Sequence, residues 1–147
     1  MFGYNKIYGF YGGGYTNDYS NVIDYIDITL LTGNAADRYD LSVARRALAG
    51  VSGSIYGFYG GGSTTVNLDT IDYIDLTLLT GNATDRGDLT VARYGLAGVS
   101  GSIYGFFGGG YSGEYSNVID YIDLTLLTGN ATDRGDLTVA RWDSAGV

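Results

Sequence analysis

The sequence predicts an all-β chain made of three copies of one sheet-forming unit, and three observations carry that prediction. The heptapeptide Tyr-Gly-Phe-Tyr-Gly-Gly-Gly at residues 8–14 recurs at 56–62 and, with one change, as Tyr-Gly-Phe-Phe-Gly-Gly-Gly at 104–110, 48 residues apart each time. The stretches 71–93 and 119–141 are identical, and 23–45 differs from them at only a few positions. Proline is absent and the 25 glycines fall at fixed points of the repeat, so they mark turns and close approaches rather than low complexity. A period near fifty residues built of short extended segments is that of a propeller blade, and three blades are too few to close a ring. The chain therefore reads as one repeat domain, residues 1–147, a half propeller with units of about 1–48, 49–96 and 97–147.

Four extended segments can be marked in one period. The first covers 89–99, with Val91, Tyr94, Leu96 and Val99 as its larger apolar members, and ends at the turn Ser100-Gly101-Ser102. The second, 103–107, is β-branched and aromatic and stops at Gly108-Gly109-Gly110, where glycine lets neighbouring backbone come close. The third, 117–127, is apolar on both faces, which suits a sheet sandwiched between two others. After Thr128-Gly129-Asn130, the short polar segment 131–135 fits an outer edge, where charge discourages further pairing. Helix competes over 33–48, since Asp40, Val43, Ala44, Ala47 and Leu48 fall near helical spacing. The extended reading is preferred because Gly87 and Gly135 replace Tyr39 in the other copies and no capping pattern is consistent.

Composition narrows the function classes. Sixteen acidic against eight basic residues give a net field that repels a nucleic-acid backbone, and no Lys/Arg cluster exists beyond Arg45-Arg46. Neither a leader nor an apolar run of bilayer length is visible, so no membrane partner is expected and the chain reads as soluble, cytoplasmic when expressed. Without cysteine there is no disulfide framework or thiol chemistry, and without histidine the nucleophilic triads and most transition-metal sites are closed. Glu114 is the only glutamate and has no counterpart in the other units, while the aspartates repeat in every unit, unlike an asymmetric active site. No catalytic residue, no metal and no cofactor is assigned. The aspartates Asp24, Asp27, Asp37 and Asp40 raise a calcium reading, but they lack the alternating oxygen ligands and bidentate glutamate of calcium loops. Asn82-Ala83-Thr84 and Asn130-Ala131-Thr132 match a glycosylation triplet but sit in a duplicated turn.

The ordered signals of the unit are an arginine before a small-residue strand (Arg45, Arg93, Arg141), a glycine doublet closing the next strand (Gly12-Gly13, Gly60-Gly61, Gly108-Gly109) and a tyrosine opening Tyr-Ile-Asp on the third (Tyr25, Tyr73, Tyr121). In this order the unit resembles a Kelch repeat, which implies four-stranded propeller blades. Two features depart from that pattern: Ile26, Ile74 or Ile122 interrupts the Tyr-Asp pair, and Arg38, Arg86 or Arg134 stands roughly where the outer tryptophan would lie. The tract Ser-Asn-Val-Ile-Asp-Tyr-Ile-Asp followed by Thr-Gly-Asn-Ala-Thr-Asp-Arg-Gly-Asp-Leu-Thr-Val-Ala-Arg is similar to repeats in virion structural proteins of bacteriophages. That resemblance implies a particle component of the tail or its fibres, located in the virion, with no enzymatic activity. Near-identical copies equally suit an engineered or recombined self-assembling scaffold with no ligand of its own.

In Kelch order the chain opens on a second strand, 6–11, and closes on a first strand, 139–147, with the other first strands at about 43–52 and 91–100. Each end lacks what the other supplies, so the simplest closed object is a homodimer of six blades in which the C-terminal strand is exchanged. Between units, variation gathers in the second-to-third loop and at the start of the first strand, which places Tyr15, Tyr19, Arg46, Tyr94, Tyr111, Tyr115 and Trp142 on one face. Aromatics on a loop-rich rim form a candidate surface for a host glycan, lectin-like, or for another virion protein; drift in exposed loops, with Trp142 packed between blades, is the competing explanation. Arg45, Arg93 and Arg141 allow either a ring of cations able to clamp an anion or structural pairing with carbonyls and an aspartate of the adjacent blade, and the second is favoured.

Overall fold

A computed structural model describes residues 6–147; the N-terminal residues 1–5, part of the reading that no leader is visible, lie outside the described residues. Eleven strands are present: β1 (Tyr8–Gly12), β2 (Val22–Asp27), β3 (Ala36–Asp40), β4 (Ala49–Ser52), β5 (Tyr56–Gly60), β6 (Thr70–Asp75), β7 (Thr84–Asp88), β8 (Ala97–Ser100), β9 (Tyr104–Gly108), β10 (Val118–Asp123) and β11 (Thr132–Asp136). They form three antiparallel sheets in sequence order, β1-β2-β3, β4-β5-β6-β7 and β8-β9-β10-β11. The chain is all-β with three similar sheets, as the repeat requires. The described residues contain no helix, so 33–48 follows the extended reading.

Two boundaries differ from the sequence reading, each for a local reason. The first strand of a unit is only four residues long, Ala97–Ser100 rather than the expected 89–99, because 89–96 crosses from the outer strand of one sheet to the inner strand of the next. The third strand stops at Asp123 rather than running to residue 127, because the Asp123 carboxylate accepts the Thr125 backbone N–H at 2.8 Å and its hydroxyl at 2.6 Å and turns the chain. Residues 139–147 form no strand, although β4 and β8 occupy the corresponding places in their sheets.

Each sheet carries the same irregularity, a register shift opposite Ile23/Asp24, Ile71/Asp72 and Ile119/Asp120 that leaves Arg38, Arg86 and Arg134 of the outer strand as the extra residue. In the central sheet Ile71 and Asp72 point to opposite faces and both are fully buried, because another sheet lies on either side. Two apolar clusters fill the spaces between sheets. One gathers Ile23, Leu41, Tyr59 and Ile74, the other Val51, Phe58, Ile71, Leu89, Phe107 and Ile122. Tyr25, Tyr73 and Tyr121 each meet the edge of the tyrosine that opens the neighbouring strand, with centroids 5.6 to 6.1 Å apart.

The doublet glycines show why the motif demands glycine. Gly61 has φ +67°, and a Cβ there would lie 2.6 Å from the carbonyl oxygen of Arg93. At the narrow end of the sheets β4 lies against β8, with Gly98 so close to the Gly50 carbonyl that no side chain fits.

Candidate functional site

The backbone of the glycine that follows each doublet fixes an arginine. The Gly14 N–H donates to the Arg45 carbonyl at 2.9 Å and the Arg45 N–H to the Ser20 carbonyl at 3.0 Å; Arg93 and Arg141 are held the same way by Gly62 with Leu68 and by Gly110 with Ser116. The side chains of Arg45 and Arg93 then run into the sheet that follows, where both are fully buried. Arg45 donates through Nη1 to Asp72 at 3.0 Å and through Nη2 to the Tyr59 carbonyl at 3.1 Å. Arg93 repeats this on Asp120 at 3.0 Å and the Phe107 carbonyl at 3.1 Å. Each aspartate also accepts a backbone N–H at 3.0 Å and a hydroxyl at 2.6 Å, from Ser42 or Thr90. A buried charge needs this kind of pairing; Arg93 completes it with Nε on the Gly109 carbonyl at 2.8 Å, while Arg45 Nε has no partner among the described residues, and full burial leaves neither guanidinium open to an anion.

A second arginine series works at the outer end. Arg38 reaches across to the next sheet, donating through Nε to the Leu78 carbonyl at 3.1 Å and through Nη2 to the Asp75 carbonyl at 3.2 Å, with Nη1 on Gly81. Arg86 does the same to Leu126 at 3.0 Å and Asp123 at 3.3 Å, with Nη1 on Gly129. The guanidiniums sit 5.8 Å and 5.7 Å from the Phe10 and Phe58 ring centres, and burial lowers the pKa of both arginines. Sequence reasoning noted these arginines only as occupants of a missing tryptophan's place. The signal that could have found them was their strict recurrence beside a phenylalanine two strands away.

The third member of each series is free. Arg134 lies over Phe106 at 5.9 Å, poised like its counterparts, yet it is exposed, as is Arg141. Among the described residues neither has an ionic partner, and neither does Asp24, the counterpart of Asp72 and Asp120. Tyr11 is 63% exposed, whereas its counterparts Tyr59 and Phe107 are 8% and 0% exposed. Their rings press on Gly12 and Gly60, while no ring covers Gly108, where a Cβ would meet only the Ile119 and Leu137 side chains at 3.8 and 3.9 Å.

Three cavities coincide with these vacancies. One of about 290 Å³ lies on the outer face of the third sheet, between Val99, Phe106, Gly108, Ile119, Arg134 and Arg141. A second, about 280 Å³, runs along the unpaired edge of β1 beside Gly50, Val51 and Ser52. A third, about 250 Å³, is lined by Asp27, Leu30, Leu31, Gly33 and Asn34 in the first unit. Asp27, Leu30 and Gly33 are the repeat counterparts of the residues that receive Arg38 and Arg86.

The candidate face residues fall into two clusters. Tyr15 and Tyr19 meet edge to face at 5.5 Å with the Arg46 guanidinium 5.3 and 6.0 Å from their rings. Trp142 stacks on Tyr115 at 6.4 Å with an interplanar angle of 23° and meets the edge of Tyr94 at 5.9 Å, and Tyr111 lies 5.6 Å from Tyr94. The corresponding loop of the middle unit, Ser63-Thr64-Thr65-Val66-Asn67, holds no aromatic residue. Tyr15, Tyr115 and Trp142 are exposed.

The turn aspartates are engaged locally. Asp27 accepts the Thr29 hydroxyl and its N–H, which holds its carboxyl below the usual range, and Asp37 accepts the Tyr39 N–H at 2.8 Å. No group of three or more acidic side chains that could hold a cation forms among the described residues. Compared with known proteins, the chain matches no family model and no curated protein.

Proposed function

We propose that this chain is half of a non-enzymatic, phage-type structural propeller that two copies complete, each lending its C-terminal segment as the inner strand of the other's first sheet. One observation carries the reading. Gly146 packs against the Gly98 carbonyl as Gly98 packs against the Gly50 carbonyl, which supports 145–147 as the inner strand of a further blade. The β1 edge, with its adjoining cavity, is the sheet that lacks such a strand. Propellers hold about four to eight blades, and six is the one multiple of three in that range. In this reading the aromatic face is the contact surface of the particle, and exposed Trp142 and Tyr115 suit the apolar face of a sugar ring.

Light scattering over a dilution series tests the ring. The expected species has about twice the chain mass of 15.6 kDa, and deletion of 145–147 reduces it to single chains. A folded wild-type monomer at micromolar concentration overturns the proposal. A glycan array tests the face: selective binding lost in Trp142→Ala supports it, and no binding by the intact dimer leaves a pure scaffold.

A further inference from the structure

We infer that the junction between copies is latched by two arginines of one chain entering the first unit of the other: Arg141 pairs with Asp24 of the second copy, and Arg134 enters the pocket formed by its Asp27, Leu30 and Gly33 carbonyls. The inference rests on the two-copy ring proposed above and assigns its chemistry.

The structure contains the template twice. Between the first and second sheets, Arg45 and Ser42 hold Asp72 while Arg38 holds the Asp75, Leu78 and Gly81 carbonyls. Between the second and third, Arg93 and Thr90 hold Asp120 while Arg86 holds the Asp123, Leu126 and Gly129 carbonyls. The third unit presents the same donors, Thr138, Arg141 and Arg134, and the first unit presents the same acceptors. Both arginines are already held in place: the Arg141 backbone is hydrogen-bonded to Gly110 and Ser116, and the Arg134 guanidinium lies over Phe106. The acceptor side is equally prepared. Gly14, with φ +122°, faces open space where Gly62 and Gly110 abut the Arg46 and Tyr94 carbonyls, which leaves room for the Trp142 carbonyl of the second copy. Tyr11 of the second copy fills the cavity over Gly108, as Tyr59 and Phe107 cover Gly12 and Gly60.

Geometry and charge together choose a second copy as occupant, because the cation-bearing end and the carboxylate-bearing end are repeat counterparts of halves seen joined within the chain. A neutral or basic groove-binder would leave Arg141 without a carboxylate, and an acidic one would leave Asp24 without a cation.

The test uses Arg141→Ala and Asp24→Ala, both at positions without internal partners, so each variant keeps a cooperative melt. Each alone forms a dimer whose two junctions bury a lone charge, and the dissociation constant read by light scattering rises ~1,000-fold or more. Mixed, they form a heterodimer with one intact junction and one that lacks both groups, so native mass spectrometry shows heterodimer at concentrations where each variant alone is monomeric. If the wild type is itself monomeric, the ring fails. Where the wild type is dimeric but the single variants dimerise as tightly, or the mixture gains nothing, the ring stands and the Arg141–Asp24 latch is wrong.

Discussion

Arg93 and Asp120 form an ion pair with 3.0 Å between Nη1 and Oδ2 and no solvent access to either side chain. The pair joins the segment that enters β8 to the third strand of the same sheet, two strands away, and Thr90 completes the carboxylate's shell. Its energetic value comes from completeness. A buried pair gains little over an apolar one, but losing one member leaves an uncompensated charge.

Arg93→Ala is therefore expected to destabilise the fold by about 3–5 kcal/mol in urea unfolding, while Arg93→Met with Asp120→Leu costs much less. Equal losses for the single and double variants would show that the pair acts through shape rather than charge.

Alkaline stability should depend on Tyr59. Burial raises its pKa from 10.0 to about 12, with the Arg38 charge opposing weakly. The folded value lies above the unfolded one, so the unfolded chain loses this proton first. The contribution is fully present below pH 10 and is lost as pH rises toward 12, on the order of 2 kcal/mol in all. Tyr59→Phe places the ring found naturally at Phe107 and should flatten the fall in melting temperature between pH 9.5 and about 11.5. An unchanged slope would assign the alkaline loss to other groups.

Glycine tolerance separates two sites with similar dihedrals. Gly61→Ala must place a methyl 2.6 Å from the Arg93 carbonyl at φ +67°, whereas Gly81, at φ +103°, has nothing within 4 Å. Gly81→Ala should cost only backbone strain, about 1 kcal/mol, and Gly61→Ala at least twice that, because Arg93 must move with it. Thermal melts of the two variants decide; equal costs would mean that the Arg93 loop yields freely.

The three units and their strand types could be read from the 48-residue period, because identical segments must fold alike. The length of the inner strand could not. Residues 89–96 have strand-like composition, but Leu89 and Leu96 are buried in the gap between sheets and the backbone there serves loops, not a ladder. Arg38 and Arg86 were equally opaque: a sequence shows an arginine in a polar outer segment but not the three carbonyls, some forty residues away, that converge on it. The aromatic clusters could be anticipated from where the units differ, yet the stacking of Trp142 on Tyr115 depends on the crossing path after Arg141.

Trp142 is the chain's one tryptophan, so its emission can be followed without labelling as a test of the proposed junction. Its counterparts Arg46 and Tyr94 each bridge by backbone to the loop of the following unit, at Ser63 and Tyr111. In the proposed ring the same geometry would bring Trp142 against Tyr15 of a second copy, between two tyrosine clusters. Dilution through the dissociation range should therefore shift its emission to longer wavelength in step with the fall in mass, as water replaces the second cluster. Tyr15→Ala should reduce the shift while leaving the Arg141 contact in place. An emission that stays constant while the mass halves would place Trp142 away from the junction, leaving it solely on the exposed face where Tyr115 stacks against it.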